Sequence, residues 1–310
     1  APRFVDAFLG GGSVSLYAKA KGYQVFNNDI GLRSVIIGRA LIENNRVRLT
    51  EDDIKRLFIP TENDGFIQRT FAPEVFLTKH AEFLDNAFAY VNQMEQSAKK
   101  ELLRLLLIKY IFHLRPYSKF SSPNAFNIPM EEKRIEYIKQ RTYHQHIKAV
   151  LEPIAEGLWK LAKQINAGVL DNGLENRTNH GDVLDFLPNV QADVAYFDPP
   201  YANTLAYEDE YHVLDQILVG RTFPKEKSGF STESAYEFIG EMFRRAQHIP
   251  IWILSFGNAA GKNDIGDLVR LMEQYKKVEA YRLKYQHIAA VATQEHREKS
   301  EEFIVVGRPK

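Results

Sequence analysis

Residues 3–29 constrain the fold more than any other stretch. "RFVDAFL" reads as a buried strand, "GGGS" turns the chain, "VSLYAKAKG" fits a helix ending at Gly22, and "YQVFNND" reads as a second short strand. A strand, a glycine turn, a helix and a strand in that order open a doubly wound α/β sheet. A further helix is expected through residues 31–45. The glycines let a ligand approach the backbone closely, and the helix offers it a positive N-terminus. Gly10 and Gly12 begin a G-x-G pattern, but Ser15 stands where a dinucleotide fingerprint needs its third glycine. Asp6, an acid inside the strand ahead of this turn, suits instead a ligand with a cationic amino-acid end. Asp29 ends the second strand, 19 residues after Gly10, where an acid hydrogen-bonds ribose hydroxyls in nucleotide-binding sheets. Capping of the next helix is its other reading.

The α/β rhythm lapses over 51–150 and then resumes. The interval reads mostly as helix, with "KKELLRLLLIKYIFHL" its clearest amphipathic stretch, followed by the polar loop "RPYSKFSSPNAFNIPM". Beyond it, "IAEGLWKLAKQI", "ESAYEFIGEMFRRAQ" and "DIGDLVRLMEQY" read as helices, and "ADVAYF" and "IPIWILSF" as strands. "KVEAYRLKYQ" and "EEFIVVGR" read as closing strands, an antiparallel pair, while 202–232 and 286–301 read as exposed loops. The organisation is a catalytic α/β domain over 1–50 and 151–310, interrupted by a mainly helical insert over 51–150. Across the whole chain 40 Lys and Arg balance 40 Asp and Glu, so bulk charge points to no partner. Between Arg104 and Lys148, however, nine Lys and Arg face three Asp and Glu, an asymmetry suited to phosphate backbones.

"FDPPY" at 197–201 follows directly on "ADVAY". Two prolines cannot donate to a β-ladder, so the strand stops there and a stiff turn remains. The exocyclic amine of a purine is a poor nucleophile because its lone pair is delocalised into the ring. Attack on a sulfonium methyl requires that nitrogen to move towards tetrahedral geometry. The Asp198 carboxylate can accept one of its N–H bonds and the Pro199 carbonyl the other, which is orientation and electrostatic stabilisation. Pro200 stiffens the turn, and Tyr201 offers a ring on which an extruded base could stack. In "NHGDVLDFLP", Asp182 either caps the apolar run that follows or reaches a ligand's adenine amino group. Tyr207 and Tyr211 follow the proline turn and either close over the base or pack within their loop.

Other classes are excluded or unsupported. Cysteine is absent, which removes disulfide scaffolds, thiolate zinc sites and every cysteine nucleophile, and fits a reducing compartment. The nine histidines show no H-E-x-x-H or comparable ligand spacing, so no metal is expected. No apolar run approaches the length of a membrane span, and the opening apolar run leads at once into glycines, unlike a signal peptide.

With these motifs in order, the chain resembles the Dam-like DNA adenine-N6 methyltransferases (the D12 class, alpha group). "FVDAFLGGGSVSL" is similar to the family's S-adenosylmethionine loop, "NNDI" to its ribose-binding strand end and "DPPY" to its catalytic motif. "RPYSKFSSPNAFNIPM" is similar to the segment that closes its DNA-recognition insert. The resemblance implies a Rossmann-like, doubly wound methyltransferase sheet carrying an inserted, mainly helical DNA-recognition domain. It implies that Asp6, Phe8, Gly10 and Gly12 line the cofactor, with Asp29 on its ribose, Asp182 near its adenine and Asp198 beside it. Asp198, Pro199, Pro200 and Tyr201 would handle the target base, and Arg115, Tyr117, Lys119, Asn124 and Asn127 would lie near DNA. The implied partners are S-adenosylmethionine, double-stranded DNA and a cognate restriction endonuclease. The implied setting is the cytoplasm of a bacterial or phage-infected cell, as a monomer or weak dimer. Cytosine-C5 methylation is excluded for want of a cysteine. Cytosine-N4 methylation remains the alternative, although Asp198 stands where those enzymes usually have serine. The family's W-x-G-G-K-like opening segment has no counterpart here, and "GNAAGKND" near residue 260 stands where a late strand-to-helix turn belongs. A non-catalytic DNA-binding remnant is therefore the second alternative.

Overall fold

The structure, a computed structural model, describes residues 1–114, 149–200, 207–224, 235–258, 265–283 and 301–310, with residues 132 and 136 between. Seven strands form one sheet: β1 (Arg3–Asp6), β2 (Gln24–Asp29), β3 (Arg177–His180), β4 (Val194–Phe197), β5 (Ile251–Asn258), β6 (Lys277–Leu283) and β7 (Glu301–Arg308). Their order is β3-β2-β1-β4-β5-β7-β6. The first five run parallel, and β7 is antiparallel to both β5 and β6. The described helices are α1 (Ser13–Ala20), α2 (Leu32–Ile37), α3 (Glu51–Arg56), α4 (Phe66–Phe71), α5 (Thr78–Gln93), α6 (Ala98–Leu114), α7 (Ile154–Ala167), α8 (Val183–Phe186), α9 (Tyr207–Val219), α10 (Ala235–Ala246) and α11 (Ile265–Glu273). This is the Rossmann-like α/β sheet the sequence leads one to expect, with its closing pair antiparallel.

The chain divides into two compact units. The first comprises Ala1–Val35, Leu174–Glu208 and Glu226–Lys310, and holds the whole sheet. Strand alternation gives this sheet two unlike faces. One is apolar: Val5, Ala195, Phe197, Trp252 and Leu254 pack against Val183 of α8, Met242 and Phe243 of α10, and Leu268 and Met272 of α11. Here the Phe243 and Trp252 rings stack at 5.1 Å, and Phe197 stands edge-on to both. The other face, under α1, carries a polar row. Asp6 is register partner to Asn27 on one side and Tyr196 on the other, so the three side chains emerge together.

The second unit, Ile36–Gly173 with Asp209–Lys225, is helical. It contains the 51–150 range expected as an insert and extends past it at both ends. The helix expected at 31–45 is found as α2 continued by a π-helical segment, Gly38–Glu43. Asn44 stops it, its amide nitrogen donating to the carbonyls of Ala40 and Val47 while its oxygen accepts from the N–H groups of Arg46 and Val47. At the centre lies α6, and it is not amphipathic as expected. Leu102, Leu103, Leu105, Leu106, Leu107, Ile108, Tyr110 and Ile111 are all buried, which covers every side of a helix. Of its Lys and Arg residues Lys109 is exposed, and the other three turn to neighbours. Lys99 reaches Asp53, Lys100 the carbonyls of Asn92 and Met94, and Arg104 the buried Glu101. Gly157 of α7 allows close approach, since a Cβ there would stand 3.6 Å from the Tyr110 ring. The Tyr110 hydroxyl in turn donates to Nδ1 of the buried His80, whose Nε2 donates to the Val150 carbonyl.

Two expectations are corrected. The stretch 202–232 is not wholly loop, because Tyr207–Val219 forms α9. No glycine or proline interrupts that run, Leu214 and Ile217 are buried at helical spacing, and Gly220 ends it at a φ of 75°. The strand β3, "RTNH", was not expected, since it has no apolar residue to announce it. Its backbone hydrogen bonds to β2 at the sheet edge define it instead. The expected loop at 286–301 lies almost entirely outside the described residues. Because Leu254 sits fully buried in the apolar layer, Leu254→Ala should cost about 2–5 kcal/mol, read as a lowered urea midpoint for the sheet unit's transition.

Candidate active site

In an open α/β sheet, ligands gather outside the C-terminal strand ends where the strand order reverses. Here the reversal falls between β1 and β4, and three acids stand there on adjacent strands. Asp6 ends β1, Asp29 ends β2 and Asp198 follows β4. The register fixes their relative heights. Asp29 lies two residues past Asn27 and Asp198 two past Tyr196, the two register partners of Asp6. Both therefore stand about 7 Å nearer the sheet edge than Asp6, one strand to either side of it. Among the described residues, no three His, Asp or Glu side chains form a group able to hold a metal ion.

Asp6 is fully buried. Its Oδ2 accepts a 2.8 Å hydrogen bond from Ser15 Oγ, one turn into α1, while its Oδ1 is buried without a hydrogen bond. Burial pushes its carboxyl up to about 7; the Ser15 hydroxyl and the Phe8 backbone N–H oppose this, and the charges of Asp198 and Asp29 add to it. Above it the chain makes the glycine turn. Gly10 and Gly12 take φ values of 51° and 77°, and the Gly12 N–H closes the turn on the Leu9 carbonyl at 2.8 Å. These left-handed values are why glycine is needed at both positions.

Asp29 ties this turn to the next one. Its Oδ2 accepts the Gly10 N–H and its Oδ1 the Gly31 N–H, both at 2.8 Å. The contact to Gly31, two residues on, is an Asx-type turn leading into α2; Gly31 itself begins that helix, its carbonyl accepting the Val35 N–H, so the capping reading of Asp29 is not what is found. Ile30, beside it, exposes 70% of its surface. The end of β3 flanks this loop: Gly181 N–H donates to the Asp29 carbonyl and His180 Nε2 to the Ile30 carbonyl. Asp182 then caps α8, accepting the Leu184 N–H at 2.8 Å. Capping is thus the contact the structure gives Asp182, and its carboxylate is exposed.

On the other side, Phe197 is buried, Asp198 is exposed and Pro199 is buried, so the strand leaves its carboxylate at the surface as the ladder ends. The Tyr196 hydroxyl hydrogen-bonds to both Asp198 and Ser255 of β5, and burial followed by the Asp198 charge raises its pKa. Reading the sequence for motifs missed Ser15, Asn27, Tyr196 and Ser255. Strand alternation alone could have found Asn27 and Tyr196, since each lies two residues before a named acid and so shares its face. Tyr201 lies outside the described residues, as do Arg115, Tyr117, Lys119, Asn124 and Asn127 and the side chain of Tyr207. Tyr211 belongs to the second unit, where it stands edge-on to Phe112 at 6.0 Å.

Comparison with known proteins decides what this arrangement belongs to. The family of D12 class N6 adenine-specific DNA methyltransferases matches residues 1–237, a span from the glycine turn through the proline turn. The chain belongs to that family. Among curated relatives it is 27% identical over 304 residues to the type II methyltransferase M2.HphI of Haemophilus parahaemolyticus, covering 96% of this chain and 88% of that protein. It is 25% identical to modification methylase LlaI of Lactococcus lactis subsp. lactis over 96% of this chain but only 47% of that one. To M.CviAII of Paramecium bursaria Chlorella virus 1 it is 24% identical, over 89% and 81% of the two chains. Membership makes this a methyltransferase fold acting on DNA adenine, and a methyl donor is implied with it. No helix among the described residues is long and apolar enough to cross a membrane.

The buried acid of this methyltransferase has a pH signature. Burial pushes the Asp6 carboxyl up to about 7 from the ordinary aspartate value of about 4, so between those values it keeps in the folded state a proton that the unfolded chain has lost. Its contribution therefore falls as pH rises from about 4 to about 7, by about 4 kcal/mol at most. Asp6→Asn should remove this slope. Urea midpoints at pH 5 and pH 8 should then show the variant gaining on the wild type at the higher pH.

Proposed function

We propose that the protein transfers a methyl group from S-adenosylmethionine to N6 of an adenine flipped out of duplex DNA at a specific sequence. The observation that carries this reading is the convergence of Asp6, Asp29 and Asp198 at the point where the strand order reverses. Their environments differ as three separate tasks would require.

The residues fit this donor. The glycine turn leaves the backbone open to close approach, and the buried Oδ1 of Asp6 has no hydrogen bond to give up. Asp6 would face the amino end of S-adenosylmethionine, with Phe8, Gly10 and Gly12 forming the turn around it. Asp29 would hold the ribose hydroxyls: each of its oxygens has one backbone N–H already and retains a second lone pair. Asp182 would approach the adenine from the β3 side. When bound, S-adenosylmethionine supplies an electrophilic methyl on a sulfonium.

The chain's own work is done at the target amine. The exposed Asp198 carboxylate accepts one N–H, the Pro199 carbonyl accepts the other, and the nitrogen is bent towards attack. The Tyr196 hydroxyl fixes the direction of the Asp198 carboxylate, and Ser255 fixes that of Tyr196. Tyr201 would stack on the extruded base, which repays part of the few kcal/mol of unstacking. Arg115, Tyr117, Lys119, Asn124 and Asn127 would meet DNA, cations on phosphates for affinity and amides on base edges for sequence choice. The names of its relatives, type II and modification methylases, support pairing with a cognate restriction endonuclease.

Methyl transfer to adenine-containing duplexes tests the reading directly. Asp198→Ala should lower the transfer rate by about 100–1,000-fold or more while sparing most DNA binding, and retained turnover would overturn its role. Asp29→Ala should weaken S-adenosylmethionine binding measured by titration calorimetry; an unchanged affinity rejects the ribose assignment. Lys119→Glu should weaken binding to every duplex sequence and reduce the salt slope by about one unit.

A further inference from the structure

Beneath the site, on the face of the sheet covered by α1, lies a polar side chain to which no role has been given. Asn27 is fully buried in β2, and neither its Oδ1 nor its Nδ2 makes a hydrogen bond. Its register partner on β1 is Asp6, whose Oδ1 is also buried without a hydrogen bond. Register partners on adjacent strands stand about 4.8 Å apart, and their side chains leave the same face. An amide and a carboxyl oxygen, each lacking a partner, are thus neighbours, one side-chain rotation from each other.

We propose that Asn27 is a positioning residue that holds Asp6 as a carboxylate when the cationic end of a ligand occupies the glycine turn. This rests on the reading that S-adenosylmethionine binds there. An amide suits the task because it serves both states of its neighbour. Its oxygen can accept from the carboxylic acid, and after a flip its nitrogen donates to the carboxylate, the second bond being the stronger because its acceptor is charged. Among the described residues, nothing else around Asp6 does both. From β2, Asp29 adds negative charge that opposes ionisation, and from β4 Asp198 does the same. Tyr196, its other register partner, is engaged with Asp198 and Ser255. From α1, Ser15 already occupies Oδ2, and Lys19, one turn further on, is buried and engaged with a partner of its own. A buried amide without a hydrogen bond burdens the resting fold, and a leucine would serve packing better. Such a residue is explained by a second state in which its hydrogen bonds are made.

Asn27→Leu separates the two accounts, with Asn27→Val as a second amide-free replacement should leucine overfill the space. If Asn27 only fills the sheet, both variants melt at or above the wild-type temperature and nothing else changes. If it positions Asp6, the same stable variants lose affinity for S-adenosylmethionine about tenfold at pH 7 and regain it towards pH 9. The Asp6 carboxyl, followed by carbon NMR in the ligand-free protein, then titrates about one unit higher. Wild-type titration of Asp6 together with a wild-type pH profile of binding overturns the proposal. Wild-type protein that binds no S-adenosylmethionine at any pH overturns the cofactor reading instead. The ligand-free titration then still decides whether Asn27 governs Asp6.

Discussion

The Asp29 carboxylate joins the two loops from which the site is made. One oxygen holds Gly10 in the turn after β1 and the other holds Gly31 in the turn after β2. Both are bonds from a backbone N–H to a charged acceptor, stronger than neutral ones. Their structural value is greatest at Gly10, because a glycine turn left to itself samples many conformations. The strand that carries Asp29 is pinned in turn by β3 and the residue before it, through Asn179 Nδ2 on Asn28 and Asn176 Oδ1 on the Val25 N–H. A glycine loop that would be loose by composition is thereby fixed by an acid one strand away. The same acid is the one that would meet a ribose, so binding and preorganisation draw on one side chain.

The sheet spends its two faces differently. The apolar face carries the stability of the unit, with Phe197, Phe243 and Trp252 in mutual ring contact and Leu254 closing the layer. The face under α1 carries polar groups in a row, the buried Asn27 and Asp6 and the half-buried Tyr196, only some of whose hydrogen bonds are made. A row of this kind weakens a fold and is tolerated where the other face supplies enough burial. The division explains why β1 reads as an apolar strand even though it ends in an acid. Phe4 and Val5 belong to two different interiors, and Asp6 belongs to the polar one.

Much of this was legible in residues 3–29 and 192–201, because hydrophobic strands, glycines and prolines constrain backbone directly. Each strand with an apolar core residue was found, and the closing pair was read as antiparallel, as β6 and β7 are. β3 escaped because an edge strand of Arg, Thr, Asn and His carries no hydrophobic period. Its existence depends on backbone pairing with a strand some 150 residues away, for instance Asn27 with Thr178. α9 escaped because glutamates and aspartates around Tyr207–Asp215 look like solvent-exposed loop until Leu214 and Ile217 find a core. The named acids were found individually from strand ends and turns. Their common face and their unequal burial were not, since these follow from register between strands far apart in sequence.

Register also explains how three chemically identical side chains come to stand in unlike surroundings. Asp6 stops within the ladder, opposite Tyr196, whereas Asp198 continues two residues past that level, where Pro199 and Pro200 have ended the pairing. Asp29 stands at the same advanced level on the opposite flank. A carboxylate set back by about 7 Å under a glycine turn is reachable only by the small end of a ligand. A carboxylate projecting at the sheet edge is reachable by a whole base. Depth therefore sorts the acids. The buried one, pushed up to about 7, would on the proposed reading meet a compact cation, and the exposed one the flat amine of a nucleobase. Moving Asp198 one residue earlier would turn it to the apolar face, and moving it two would sink it beside Asp6. The Pro-Pro turn keeps it at the height that the proposed reading requires.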